Sequence, residues 1–239
     1  MTSNSERTDP KPASDRIYYF VYSLIRLLVR LLWRHDVEGR ENIPASGPYL
    51  LTFNHLGVFD TAAVLLSSPH RIIAFGADKW RRRPGARQLF EMMGVIWVAR
   101  GEADLDAVKA ALGALKSGRV VGIAPEGTRS PTGALIAGKP GAAYLADRAR
   151  VPIVPLALIG TEKVGPAWKR LRRPRVKCIV GQPFFLPGDG RVRGPRLDEF
   201  TELIMCKLAA MLPPEYRGAY ADHPLLREML AAQSGQGAG

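Results

Sequence analysis

The chain has 239 residues, 46% of them apolar, enough for one ordinary domain with a sizeable core. Its two cysteines, Cys178 and Cys206, stand far apart and outside any metal-ligand spacing, which excludes a disulfide framework and a cysteine metal cluster. Lys and Arg number 34 against 22 Asp and Glu, and the resulting net charge of +12 attracts polyanions: nucleic acid, an anionic lipid surface or a phosphorylated substrate.

Residues 1–15 are polar, hold two prolines and read as a disordered tail without the features of a signal peptide. Residues 16–35 read as a helix, apolar nearly all round except for Arg26, Arg30 and Arg34, which lie four apart in one stripe. The uncharged run 17–25 is too short to span a bilayer, so the expectation is an amphipathic helix lying in the membrane interface. A core helix packed on the domain and a short tilted insertion are the alternatives.

Residues 36–213 alternate short apolar runs with helical stretches. Strands are expected at 49–53, 71–75, 94–98, 120–124, 153–158 and 176–180, and helices at 103–116, 138–150 and 197–212. Interleaving of this kind predicts a single α/β domain with a mostly parallel central sheet flanked by helices. The run 79–84 is a basic cluster between elements. Residues 214–239 are expected to form a short helix from Pro224 and a flexible tail.

Two strand ends carry candidate chemistry, the usual place for ligands in an open α/β sheet. The first is Asn54-His55-Leu56-Gly57-Val58-Phe59-Asp60. Side chains five apart stand about 140° from each other on a regular helix and do not meet there. A loop wrapping around Gly57, with Asp60 opening the next helix, would bring them together. A carboxylate on one imidazole nitrogen fixes the tautomer, and the other nitrogen is free to act as a base. No G-x-S-x-G pattern offers a covalent nucleophile. The second is Pro125-Glu126-Gly127-Thr128-Arg129-Ser130. Gly127 permits close backbone approach, Arg129 offers a planar fork for phosphate, and Thr128 and Ser130 add hydroxyls. Glu126 has no such contact to offer and suits an orienting role. Arg100 follows a third strand.

Four blocks in order, Asn54-His55-x4-Asp60, Val95–Arg100, Pro125–Ser130 and Val151-Pro-Ile-Val-Pro155, resemble the 1-acylglycerol-3-phosphate acyltransferases and their glycerolipid acyltransferase relatives. The resemblance implies transfer of a fatty acyl group from acyl-CoA or acyl carrier protein to the free hydroxyl of 1-acylglycerol-3-phosphate, giving phosphatidate without a covalent enzyme intermediate. His55 would be the general base and Asp60 its orienting partner. Gly127 and Arg129, with Glu126 and Thr128 beside them, would hold the glycerol phosphate, helped by Arg100 and Lys139. The fourth block would line the acyl or thioester side. No metal or cofactor is implied. The expected place is the cytoplasmic face of the cell membrane, peripheral or monotopic. Gly57 and Ala124 depart from the Ser and Phe often found in relatives, which leaves acceptor and chain preference open. Another lysophospholipid or a glycolipid is the alternative acceptor. A nucleic-acid-binding protein has only the net charge in its favour, with no zinc-finger spacing or RNA-recognition motif.

Overall fold

Continuous runs of Val, Ile and Leu form the middle strands because both of their faces are covered by helices. The computed structural model describes residues 15–98 and 104–236. In chain order the elements are α1 (Asp15–Leu32), β1 (Arg34–Glu38), β2 (Leu50–Phe53), α2 (Asp60–Ser67), β3 (Ile72–Ala77), α3 (Pro84–Met93), β4 (Ile96–Val98), α4 (Leu105–Lys116), β5 (Val120–Ile123), α5 (Gly141–Ala149), β6 (Ile153–Ile159), α6 (Val164–Trp168), β7 (Arg175–Val180), α7 (Pro195–Met211) and α8 (Pro224–Gln236). The sheet order is β1-β7-β6-β2-β5-β3-β4. All neighbours are parallel except β6 and β7, which are antiparallel. This is the mostly parallel α/β sheet expected.

Successive residues of β2 face opposite sides of the sheet. Leu50, Val121 and Ile153 share one register row and pack with α4 and α5. Leu51 and Val154 face the other cluster, which holds Val64 and Leu66 of α2, Val29 of α1 and Trp33 just after it.

Two boundaries differ from expectation. β1 begins at Arg34, so the arginine stripe is split: Arg26 and Arg30 stand on α1 and Arg34 on the sheet edge. α1 also buries Tyr18, Val21 and Val29 against the domain while Phe20, Leu27 and Leu31 stay exposed on its far side. It is therefore packed on the core through one face, the alternative weighed above, and leaves the other face open. The C-terminal part is not a loose appendage, since Tyr216, Tyr220 and Leu226 are buried in the main core. The basic cluster at 79–84 leads into α3, a helix with proline in its first turn and Gly94 closing its end at φ +77.

Candidate active site

Three neighbouring strands, β6, β2 and β5, end side by side, and each hands one loop to the site. At the end of β2, Asn54 is buried and extends the ladder with its side chain: its Nδ2–H donates to the Leu158 carbonyl at 2.9 Å, and the Leu158 N–H donates to its Oδ1 at 2.7 Å. That double bond fixes the point where the chain leaves the sheet. The loop then turns back over itself, because the Leu56 and Gly57 N–H groups both donate to Asp60 Oδ2, at 2.7 and 2.8 Å. Asp60 is the first residue of α2. His55 stands on the preceding turn with Nδ1 at 2.6 Å from the same Oδ2. Gly57 is not required sterically, since a Cβ there would meet nothing within 4 Å.

Asp60 is fully buried, and a buried carboxylate is tolerated only when its oxygens are bonded. Its second oxygen accepts the Thr161 hydroxyl at 2.5 Å. Thr161 lies just beyond β6, one residue after Gly160 at φ +89. Sequence reasoning missed it. The available signal was its position at the carboxyl end of a third strand. With a carboxylate accepting at Nδ1, the His55 ring carries its proton there and presents Nε2 as an acceptor.

Beyond β5, Glu126 is buried and both of its oxygens accept backbone N–H groups, Oε1 from His55 at 2.8 Å and Oε2 from Ile136 at 3.0 Å. Burial pushes its carboxyl above the ordinary range, while these two bonds pull the other way. Its grouping with the phosphate contacts is corrected: no oxygen is left over, and a carboxylate does not attract phosphate. Glu126 instead ties the two loops together, as does the Ser130 N–H donating to the His55 carbonyl at 2.8 Å. The Ser130 hydroxyl is also used internally, donating to the Ala134 carbonyl at 2.6 Å.

Gly127 has φ +67, and the stem of Lys139 lies across it, with a Cβ at Gly127 falling 2.9 Å from Lys139 Cδ. A side chain at 127 would push the lysine away. Thr128 and Arg129 are half-buried and have no hydrogen-bonding partner among the described residues. Arg100 lies outside the described residues.

An apolar cavity of about 290 Å³ opens beside His55 and Gly127, lined by Phe53, Val64, Ile72, Phe75 and Leu145 among others. The fourth block does not reach it. Ile153 and Val154 are buried in β6, inside the sheet, and the cavity is lined instead by residues of α2, β3 and β5 among others. Among the described residues there is no cluster of side chains able to hold a metal ion.

A family model described as Acyltransferase matches residues 34–159, more than half of the chain. The chain belongs to the acyltransferase family. It is 29% identical over 177 residues to the chloroplastic 1-acyl-sn-glycerol-3-phosphate acyltransferase BAT2 of Brassica napus, covering 71% of this chain and 51% of that protein. With the Bacillus subtilis 1-acyl-sn-glycerol-3-phosphate acyltransferase it shares 24% identity over 168 residues, 70% of this chain and 82% of that one. It spans about half the length of the plant and human relatives it matches. The crystal structure of the 1-acyl-sn-glycerophosphate acyltransferase PlsC from Thermotoga maritima superposes with a TM-score of 0.62 at 23% identity, covering 80% of each chain, and so shares the fold.

Proposed function

We propose that this acyltransferase moves a fatty acyl group from a thioester, acyl-CoA or acyl carrier protein, to the free hydroxyl of 1-acylglycerol-3-phosphate. The observation that carries the reading is a carboxylate-held base beside an apolar cavity and a loop that bears cations. His55, held through Nδ1 by a buried carboxylate, lines an apolar cavity together with Gly127, and the loop of Gly127 carries the Lys139 stem across it and Arg129 two residues on. An acyl chain suits the cavity, and the glycerol phosphate suits the cations. In this mechanism His55 Nε2 takes the proton of the acceptor hydroxyl as its oxygen attacks the thioester carbonyl. The tetrahedral intermediate collapses with cleavage of the C–S bond, and the thiolate leaves with the proton returned from the imidazolium. Asp60 stabilises the imidazolium in between. The balance requires neither a redox partner nor an enzyme nucleophile.

The same reading places α1 on a lipid surface at the cytoplasmic face of the membrane. Its support is the exposed row of Phe20, Leu24, Leu27 and Leu31 beside a stripe of arginine. Among the described residues no helix is long and apolar enough to cross a membrane. The test is a matrix of acyl-CoA and acyl carrier protein donors against lysophosphatidate, other lysophospholipids and a phosphate-free acceptor, followed by thiol release. Turnover with lysophosphatidate supports the reading. Equal turnover without phosphate on the acceptor would remove the role given to Arg129 and Lys139.

A further inference from the structure

A second concavity, of about 490 Å³, lies on the other side of α2 and shares no lining residue with the cavity beside His55. It is walled by α1, the start of β1 and the loop before β7. Five of its lining residues are arginine: Arg26, Arg30, Arg34, Arg40 and Arg173. Like charges gathered in one cleft repel, and a folded protein usually relieves this with carboxylates. None does so here. Among the described residues none of the five makes an ion pair, and the nearby Asp36 and Glu38 are taken by Arg175 and Lys177 across the β1–β7 edge, at 3.0 and 2.9 Å. Arg40 gives one N–H to the Leu66 carbonyl at 3.1 Å, and Arg173 gives one to the Arg30 carbonyl. Arg26, Arg30 and Arg34 have no protein acceptor among the described residues. His35 adds a sixth donor. Its Nδ1 accepts the Trp33 indole N–H at 3.3 Å, so its proton sits on Nε2, which is buried and has no partner among the described residues. Such a donor lacks an acceptor that an anion would supply.

The surroundings indicate where the anion comes from. The outward row of α1, with Phe20 at 71% exposure, runs beside the cleft. The loop that carries Arg173 ends α6 with a cap in which Arg172 N–H donates to the Ala167 carbonyl and Leu171 N–H to the Trp168 carbonyl, both at 2.9 Å. That cap calls for a left-handed residue, normally glycine. Here it is Leu171, at φ +53 and 98% exposed, flanked by Arg170 and Arg172. A bulky apolar residue in that conformation, with almost no surface buried, costs the fold without a packing gain to offset it.

We infer that this cleft is a second, non-catalytic site for the phosphate head group of an anionic phospholipid, with Leu171 and the outer face of α1 set among the lipid chains around it. The inference rests on α1 lying on a lipid surface. A gathering of guanidinium groups favours the dianion of a phosphate monoester over a diester. The site is joined to the catalytic wall through Trp33, whose ring meets Phe59, the residue before Asp60, edge to face at 5.9 Å.

The test compares vesicle binding by the full chain and three variants. Vesicles are phosphatidylcholine alone, or with phosphatidate, or with phosphatidylglycerol matched for surface charge. Arg26→Gln/Arg30→Gln/Arg34→Gln removes arginines whose side chains make no hydrogen bond or ion pair among the described residues. Arg81→Gln/Arg82→Gln/Arg83→Gln removes the same charge elsewhere. Phe20→Ser/Leu27→Ser/Leu31→Ser removes the apolar row. Wild type should prefer phosphatidate over matched phosphatidylglycerol by about tenfold, the worth of one further charge-assisted hydrogen bond. The first variant should lose that preference, the second should keep it, and the third should weaken binding to every vesicle. A preference retained in the first variant overturns the site. Short-chain monomeric phosphatidate and inorganic phosphate, titrated calorimetrically, separate the two sources of phosphate and the two readings. A binding event with short-chain phosphatidate that is lost in the first variant, without vesicle binding, sinks the membrane placement and leaves the head-group site standing. Inorganic phosphate bound in the cleft as tightly as the lipid overturns the lipid assignment.

Discussion

Asp60 is the residue on which the proposed chemistry turns, because one oxygen gathers three donors and the other holds Thr161. Asp60→Asn preserves much of this. The amide oxygen still accepts from the Leu56 and Gly57 N–H groups, and its NH2 can donate to Thr161. What is lost is the charge that stabilises an imidazolium. Turnover should fall by about 100- to 10,000-fold, with a stability loss of no more than about 3 kcal/mol. His55→Ala should cost a similar factor in turnover with little change in Tm, since its ring is partly exposed. A kcat near wild type in either variant, with the melting curve intact, would end the dyad. Glu126→Gln tests positioning. Two N–H donors converge on two oxygens, and an amide offers only one acceptor, so about 1–3 kcal/mol of stability should be lost. Because one of those donors is the His55 backbone, kcat should fall while KM moves little. A KM effect alone would return Glu126 to the substrate. In the sequence, His55 and Asp60 are legible as a pair because a base and a carboxylate flank a turn. Thr161 is not, because it lies 101 residues from Asp60 and only the parallel pairing of β2 with β6 brings it there. Glu126 misleads for a related reason: beside Arg129 it looks like part of a polar surface, whereas its partners are backbone groups that composition does not display.

At the scale of elements, the buried strands are readable because burial on both faces demands unbroken apolar runs. β1 is not. Arg34 and His35 read as the end of the first helix and no strand is expected at 34–38, yet Asp36 and Glu38 alternate with period two and face Arg175 and Lys177 on β7. An edge strand needs only one covered face, so its signal lies in paired charges rather than in apolar residues. α3 is hidden in the same way, since the basic cluster that precedes it draws attention from the Pro84 start and the Gly94 stop. The loop after α6 allows a prediction with effects of opposite sign. Leu171→Gly removes the left-handed penalty of about 1–2 kcal/mol, against an entropy cost of about 0.5–1 kcal/mol for glycine. Tm should stay level or rise. Vesicle affinity should fall, because an exposed leucine flanked by arginines is removed. A Tm that falls would show that Leu171 has a packing role, and unchanged vesicle binding would remove the loop from the lipid surface.

Across the whole molecule, the excess of positive charge is not spread evenly. Part of it lines the phosphate side of the proposed active site, and part is concentrated in the arginine cleft beneath α1. His35 reports on the second of these. Burial first, and then the charge of Arg40, hold its imidazole at about 4, below the ordinary 6.5, with Asp36 acting the other way. The group is therefore neutral in the fold and titrates near 6.5 in the unfolded chain. As pH falls from about 6.5 to 4 the unfolded state takes up a proton that the folded state refuses, so stability due to this group is present above 6.5 and is lost through that window. His35→Gln keeps an acceptor for the Trp33 indole and cannot titrate. Its Tm should decline less than that of wild type between pH 6.5 and 4. An anion in the cleft acts against the arginines and favours the imidazolium, so short-chain phosphatidate should shrink the difference between the two proteins. Parallel Tm curves for wild type and His35→Gln across that range would show that His35 is not held neutral. A difference that phosphatidate leaves untouched would mean that no anion reaches it.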